Sequence, residues 1–174
     1  MKFLVVIDMQ KDFIDGALGT PEATAILPAV VQAVHSFEGT VLFTRDTHGP
    51  DYLQTQEGRN LPVPHCIRGS EGWQLAPQLQ EYAAIHASPI FDKPTFGSRA
   101  LADFLLEIHT TEPIEEITLI GLCTDICVIS NALNLKAALS EVPISVIESC
   151  CAGVTPESHK TALRAMQMCQ ITIR

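Results

Sequence analysis

A chain of 174 residues, 47% hydrophobic and 18% charged, has the size and composition of one globular domain with a full core and no disordered or low-complexity tract. Its net charge of −9 repels phosphate backbones and anionic lipid surfaces, and no Lys/Arg cluster offsets it, so neither nucleic acid nor a membrane is expected as a partner. No apolar run reaches the roughly 20 residues of a membrane span. The six cysteines lie at irregular spacings, two of them adjacent at Cys150-Cys151, which suits free thiols in a reducing cytoplasm better than a disulfide framework.

The first element is an apolar, β-branched run at 3–7, the pattern of a strand buried on both faces. Asp8 closes it with no small-residue cleavage site beyond, so it reads as a strand rather than a signal segment. Residues 22–37 carry Ala25, Leu27, Val30, Val31, Val34 and Phe37 at helical spacing, and a second strand is expected at 40–44. The stretch 48–85, rich in Gly, Pro, Gln and Asn, is too long for an idle connection and reads as a functional excursion with a short helix near 73–80. A weaker strand at 85–90 precedes a helix at 98–109, a strand at 117–121, a helix at 126–140 and a strand at 144–148. Thr155 as N-cap and Pro156 in the first turn start a helix over 155–168, and a short strand at 171–173 ends the pattern. There is no internal repeat. Alternation of this kind predicts an α/β fold of right-handed βαβ units, a mostly parallel sheet of about six strands with helices on both sides.

In such sheets ligands bind beyond the carboxyl ends of the strands. Asp8, then Arg45-Asp46-Thr47-His48, then Lys93, then the stretch 121–127 all follow strands, which puts four sets of polar groups at one edge. A carboxylate at the end of an apolar strand is costly unless paired, so Asp8 is a site candidate; capping a helix start is the alternative. Lys93 alone would be an ordinary surface lysine. Cys127 stands near a helix start, where the dipole stabilises thiolate, and Cys123 competes for the same role. Cys66, Cys150, Cys151 and Cys169 read as packing residues. A base, a cation and a thiol are the components of an activated nucleophile. Asp46, His48 and His65, with Glu57 as a fourth candidate, offer the oxygen and nitrogen donors of a divalent-metal site; the bland alternative is loop histidines bonded to neighbours. His35, His86, His109 and His159 are expected to have no chemical role.

Five segments together resemble the isochorismatase-like cysteine hydrolases, and within them the nicotinamidase/pyrazinamidase branch: Val5-Val-Ile-Asp8-Met-Gln-Lys-Asp-Phe13, Thr44-Arg-Asp46-Thr-His48, Pro64-His65-Cys66, Lys93-Pro-Thr-Phe-Gly-Ser98 and Gly121-Leu-Cys-Thr-Asp-Ile-Cys127. Their order and spacing make the match specific over essentially the whole chain. The resemblance implies a three-layer α/β/α sandwich and settles the choice of thiol: Cys127 as nucleophile, Asp8 as general base and acid, Lys93 as the cation between them. It also implies a cis peptide at Leu122-Cys123 and an oxyanion hole formed by the amides of Cys123 and Cys127. The metal set Asp46, His48, His65 and Glu57 would hold zinc, with iron or manganese as alternatives. Isochorismatases proper lack the cysteine and carbamoylsarcosine-type amidases lack the metal set, so having both points to nicotinamide, hydrolysed to nicotinate and ammonia. One departure concerns the ring: Leu61-Pro-Val-Pro64 lacks the aromatic residue usual there. Phe13 and Phe96 remain to sandwich a flat substrate, with Leu18 or Trp73 beside them. Another small amide or carbamoyl compound is the alternative substrate, and homo-oligomerisation is expected by analogy. A redox-sensing thiol protein, the alternative from another class, leaves Asp8, Lys93 and the metal set without a purpose.

Overall fold

The computed structural model describes residues 1–174. Its centre is β1 (Lys2–Ile7), which sends Phe3, Val5 and Ile7 into one apolar core and Leu4 and Val6 into another on the opposite face. A strand between two cores needs apolar side chains in both directions, so its sequence is a continuous hydrophobic run. β2 (Thr40–Asp46) and β4 (Glu116–Leu122) flank it, both parallel, with Phe3 opposite Thr40 on one side and Ile117 on the other. β3 (Ile90–Lys93), β5 (Ile144–Ala152) and β6 (Thr172–Ile173) complete a six-stranded parallel sheet in the order β3-β2-β1-β4-β5-β6. The chain therefore reverses its direction of growth between β1 and β4, and the crevice beyond their carboxyl ends is the topological switch point.

Helices cover both faces, as expected. α1 (Lys11–Ile14), α2 (Pro21–Ser36) and α4 (Pro77–Ile85) enclose the core containing Leu4 and Val6, with Val30, Val34 and Leu79 fully buried. α5 (Arg99–Thr111), α6 (Ile129–Ala138) and α7 (Pro156–Met168) enclose the other, through Leu101, Leu105, Leu135 and Met166. α3 (Gln56–Asn60) lies in the excursion after β2. Thr155 caps α7 in a reciprocal bond pair with Ser158. No helix is long and apolar enough to cross a membrane, and all six cysteines are free.

Several boundaries differ from the sequence reading. The helix placed near 73–80 is α4, running to Ile85, because Leu79 and Ala83 bury one face of a turn begun at Pro77. The third strand consequently starts at Ile90, and Lys93 is its last residue rather than a residue beyond it. The helix expected from 126 begins as a wide π turn, Thr124–Val128. β5 runs four residues past its expected end to Ala152, with a shift of register opposite Leu119 and Gly121. Cys169 is exposed just beyond α7 and is not a packing residue.

Gly121 marks the place where β4 passes closest to β1. Its φ is +118° and a Cβ there would lie 2.1 Å from the Ile7 carbonyl oxygen, so both the conformation and the space exclude a side chain. Gly69 has φ +83° with nothing near its Cβ position, which isolates the conformational part. Chemical denaturation is expected to show Gly121→Ala losing at least ~2 kcal/mol more than Gly69→Ala, the difference being the collision with β1.

Candidate active site

Asp8 ends β1 with φ +46°, which turns the chain out of the sheet at the switch point. Its carboxylate is fully buried, and Thr44 of β2 donates its hydroxyl to Oδ1 at 2.6 Å while accepting the Asp8 N–H at 3.2 Å. Lys93 pairs in register with Asp46, which lies on the strand between β3 and β1. Its side chain reaches across β2, 1% exposed, and sets Nζ 2.6 Å from Asp8 Oδ2, 3.4 Å from Cys127 Sγ and 3.6 Å from Asp46 Oδ1. Nζ also donates to the Thr95 carbonyl at 3.2 Å. Burial alone would favour a neutral amine, but the Asp8 and Asp46 carboxylates outweigh it and hold Lys93 protonated, above the ordinary lysine range. The same burial raises the Asp8 carboxyl, with Lys93 opposing and Asp46 reinforcing the rise.

Cys127 lies buried on the π turn that leads into α6, and the Leu122-Cys123 peptide before it is cis. The turn is tied on three sides. The Cys123 carbonyl accepts the N–H groups of Ile126 and Val128. Asn131, fully buried on α6, donates to the carbonyls of Cys127 at 2.8 Å and Phe96 at 3.1 Å and accepts the Ser98 N–H, joining this turn to the loop after Lys93. Thr124 shares a hydrogen bond of 2.7 Å with His159 Nδ1 on α7, and Asp125 accepts the Val154 N–H.

The helix start does not leave Cys127 a low-pKa thiol. Burial pushes it well above the ordinary value, the Asp8 carboxylate adds to this, and Lys93 only opposes. The thiol is therefore protonated at rest, with Lys93 Nζ bridging it to Asp8, the group that can take its proton when a charge is stabilised elsewhere. Cys123, raised to about 12 by burial and the Asp125 charge, is a thiol as well.

Beside this group Asp46, His48, Glu57 and His65 converge, with one donor atom from each lying within 4.8 Å of the others. His48 Nε2 stands 2.8 Å from Asp46 Oδ2 and 3.6 Å from Glu57 Oε1; His65 Nε2 stands 3.5 Å and 3.6 Å from the same atoms. Close as it is to Asp46 Oδ2, His48 Nε2 is not aligned for a hydrogen bond and is buried without a partner, and the Nδ1–H of His65 is taken by the Val63 carbonyl at 2.8 Å, leaving its Nε2 free to ligate. Two imidazoles and two carboxylates around an unsatisfied nitrogen suit a divalent ion such as zinc, iron or manganese. Against its burial, the neighbouring His48 and His65 and the Lys93 charge hold the Asp46 carboxyl far below the usual range, and Asp46 in turn, with the Val63 carbonyl, raises His65 against burial.

A cavity of about 400 Å³ connects the two groups. Cys123, Cys127, Asp46, Glu57 and His65 line it together with Phe13, Leu18, Leu61, Phe96, Ile126 and Val154. Phe13 packs its ring 5.5 Å from His65, and Phe96, 46% exposed, stands on the solvent side. Trp73 is elsewhere, under the Arg45 guanidinium at 3.7 Å and bonded through Nε1 to Thr47. Of the sequence-derived candidates other than Trp73, Asp8, Lys93 and His48 do not line this cavity themselves but contact Cys127 or Asp46, or each other, next to it, and the rest line it.

The residues that hold them in place were not singled out from the sequence. Gln10 clamps the backbone of Asp46 from both sides, donating to its carbonyl and accepting its N–H at 2.7 Å. Thr44, Asn131 and His159 act similarly. Thr44 and Asn131 are polar residues among apolar ones, a signal of partners but not of which ones; Gln10 and His159 stand among polar neighbours and carry no such signal.

A thiol, a carboxylate and an ammonium buried at the switch point of a parallel three-layer sandwich, beside four side chains able to hold a divalent ion, are the layout of a hydrolase. The chain belongs to the isochorismatase family, whose domain model matches residues 2–174. It is 26% identical over 190 residues to the nicotinamidase/pyrazinamidase of Mycobacterium tuberculosis, covering 99% of this chain and 98% of that protein. Among solved structures it resembles nicotinamidase/pyrazinamidase from Bacillus subtilis, with TM-score 0.84 and 29% identity, covering 99% and 98% of the two chains. The pyrazinamidase of Pyrococcus horikoshii in complex with zinc aligns with TM-score 0.80 and 25% identity, over 99% and 98%. These relatives lie in the nicotinamidase/pyrazinamidase branch of the family.

Proposed function

We propose that the protein hydrolyses nicotinamide to nicotinate and ammonia through a thioester on Cys127. The observation that carries this reading is the single Lys93 Nζ placed between Asp8 and Cys127, with Cys127 lining a cavity that Asp46, Glu57 and His65 also line. The names of the relatives supply the substrate. The cavity supports a neutral aromatic amide: its walls are largely apolar, Asp46 and Glu57 line it, and no Lys or Arg does, which disfavours a carbamoyl compound bearing a carboxylate.

Asp8 takes the Cys127 proton as the sulfur attacks the carboxamide carbon, and Lys93 stays between them, stabilising whichever of the two carries the negative charge. The carboxamide oxygen gains charge and receives the backbone N–H groups of Cys123 and Cys127. Collapse of the adduct breaks the C–N bond, and the proton held by Asp8 goes to the leaving nitrogen, releasing ammonia. Asp8, ionised again, removes a proton from water as it attacks the thioester, and the sulfur leaves to regain that proton. Phe13 and Phe96 flank the ring, with Leu18 beside them. Asp46, His48, His65 and Glu57 would hold a divalent ion, zinc first among the candidates, which would supply Lewis acidity for orienting the substrate.

The test is ammonia release from nicotinamide by metal-replete protein. Cys127→Ala is expected to lower kcat/KM at least about 10³-fold while keeping its metal content. Substantial retained activity would remove Cys127 as the nucleophile.

The pH profile carries an independent prediction. Asp8 must be ionised to accept the thiol proton, and burial raises its carboxyl. Activity is therefore lost as pH falls through a value above the ordinary carboxylate range of about 4. The plot of log kcat/KM against pH, with metal content checked at each point, is expected to bend on its acid side above that value; a bend at or below it contradicts Asp8 as the base.

A further inference from the structure

We propose that Tyr52 is a positioning residue that sets both imidazoles of the metal cluster and, through its hydroxyl, the Leu61 wall of the cavity; this rests on the reading that the cluster holds a divalent ion and the cavity an amide. Tyr52 lies in the long excursion after β2, on a single 3₁₀ turn spanning Tyr52–Gln54. Loops normally keep bulky side chains near the surface, yet this ring is 1% exposed and is among the largest fully buried side chains of the molecule.

Its contacts all lead to the site. The ring lies 4.7 Å from that of His48, tilted by 59°, and 5.0 Å from that of His65 at 75°. The two imidazoles are themselves 4.9 Å apart at 75°, so the three rings close a triangle in which none can rotate without displacing another. His65 is also fixed by the Val63 carbonyl, whereas the plane of His48 is set by the Tyr52 ring beside it.

The polar end of Tyr52 points the other way. Its hydroxyl donates to the Leu61 carbonyl at 2.8 Å, and Leu61 lines the substrate cavity. A core filler would need no hydroxyl, since a buried one costs free energy unless it is paired. The Tyr52 backbone holds α3 as well. Its carbonyl accepts the Thr55 hydroxyl at 2.7 Å, and Thr55 caps the helix that carries Glu57. Gly58 of that helix passes so close that a Cβ would lie 2.0 Å from the Tyr52 oxygen. One residue thus links two imidazole donors, the helix bearing a third donor and the apolar wall.

Tyr52→Phe and Tyr52→Leu separate the ring from the hydroxyl. Metal affinity is read by titrating chelator-stripped protein with zinc against a chromophoric competitor, and kinetics with nicotinamide on the loaded protein. Tyr52→Phe is expected to keep wild-type zinc affinity and kcat within about twofold, while KM rises about threefold or more because the Leu61 wall, released from the hydroxyl, is no longer held in place for the substrate. Tyr52→Leu is expected to weaken zinc binding by about tenfold or more, the usual effect of losing a group that orients a ligating imidazole. Phe restoring what Leu loses marks orientation by the ring. An unchanged KM in Tyr52→Phe, or wild-type zinc affinity in Tyr52→Leu, overturns the proposal. The zinc titration needs no substrate, so a wild-type protein that binds zinc but releases no ammonia from nicotinamide counts against the functional reading and leaves Tyr52's link to the metal standing.

Discussion

The buried ion pair between Lys93 and Asp8 is the constraint on which the rest of the site depends. Neither group is tolerable alone at such depth, and removing one partner of a buried pair typically costs about 3–5 kcal/mol because the other is left charged and unpaired. The pair can form only because β2 separates β3 from β1 and a lysine at the end of β3 is long enough to cross it. Parallel strands with their carboxyl ends at one edge supply that arrangement. Once Lys93 is committed to Asp8, its remaining reach brings it to Cys127 and Asp46, so one ammonium holds together three groups central to the proposed chemistry.

The Asp46 carboxylate joins the two halves of the site. One oxygen faces Lys93 and the other faces His48 and His65, so a change at the metal cluster is felt at the Asp8–Lys93 pair. Gln10 grips the backbone of Asp46 on both sides, which fixes the carboxylate relative to β1 as well as to its own strand. The long excursion after β2 completes the arrangement: it carries Glu57 and His65 back over the strand ends, and its most deeply buried ring lies against the imidazoles. The same excursion and the loop after β3 supply the apolar walls Leu61 and Phe96. The proposed metal donors and substrate walls therefore share one scaffold.

Much of this was legible because it depends on local pattern. β1 and β4 are buried on both faces and show as unbroken apolar runs, and the rule that sites lie beyond parallel strand ends gathered Asp8, Asp46, His48, Lys93 and Cys127 at one edge. The region from Trp73 to Lys93 was less legible. Ala83, Ala84 and Ile85 suit a helix end as well as a strand start, and β3, a four-residue edge strand that ends in Asp92 and Lys93, has little apolar signature of its own. The protonation state of Cys127 was not legible at all, since it follows from burial and from contact with Asp8, which lies far away in the chain. Gln10, Thr44, Asn131 and Tyr52 share that limit: Thr44 and Asn131 announce a partner as polar atoms among apolar residues, Gln10 and Tyr52 stand in polar stretches that announce nothing, and only the folded chain shows what each one holds.

Covalent catalysis by Cys127 is the central claim, and interception of the acyl group tests it most directly. Nicotinamide and an ester of nicotinic acid are turned over separately in increasing hydroxylamine, and the acyl products are separated. A thioester common to both substrates partitions between water and hydroxylamine, so the ratio of hydroxamate to nicotinate is expected to rise with hydroxylamine and to be the same for amide and ester. Nicotinate alone at every hydroxylamine concentration, or a ratio that depends on the leaving group, would contradict the thioester and point to direct attack by water.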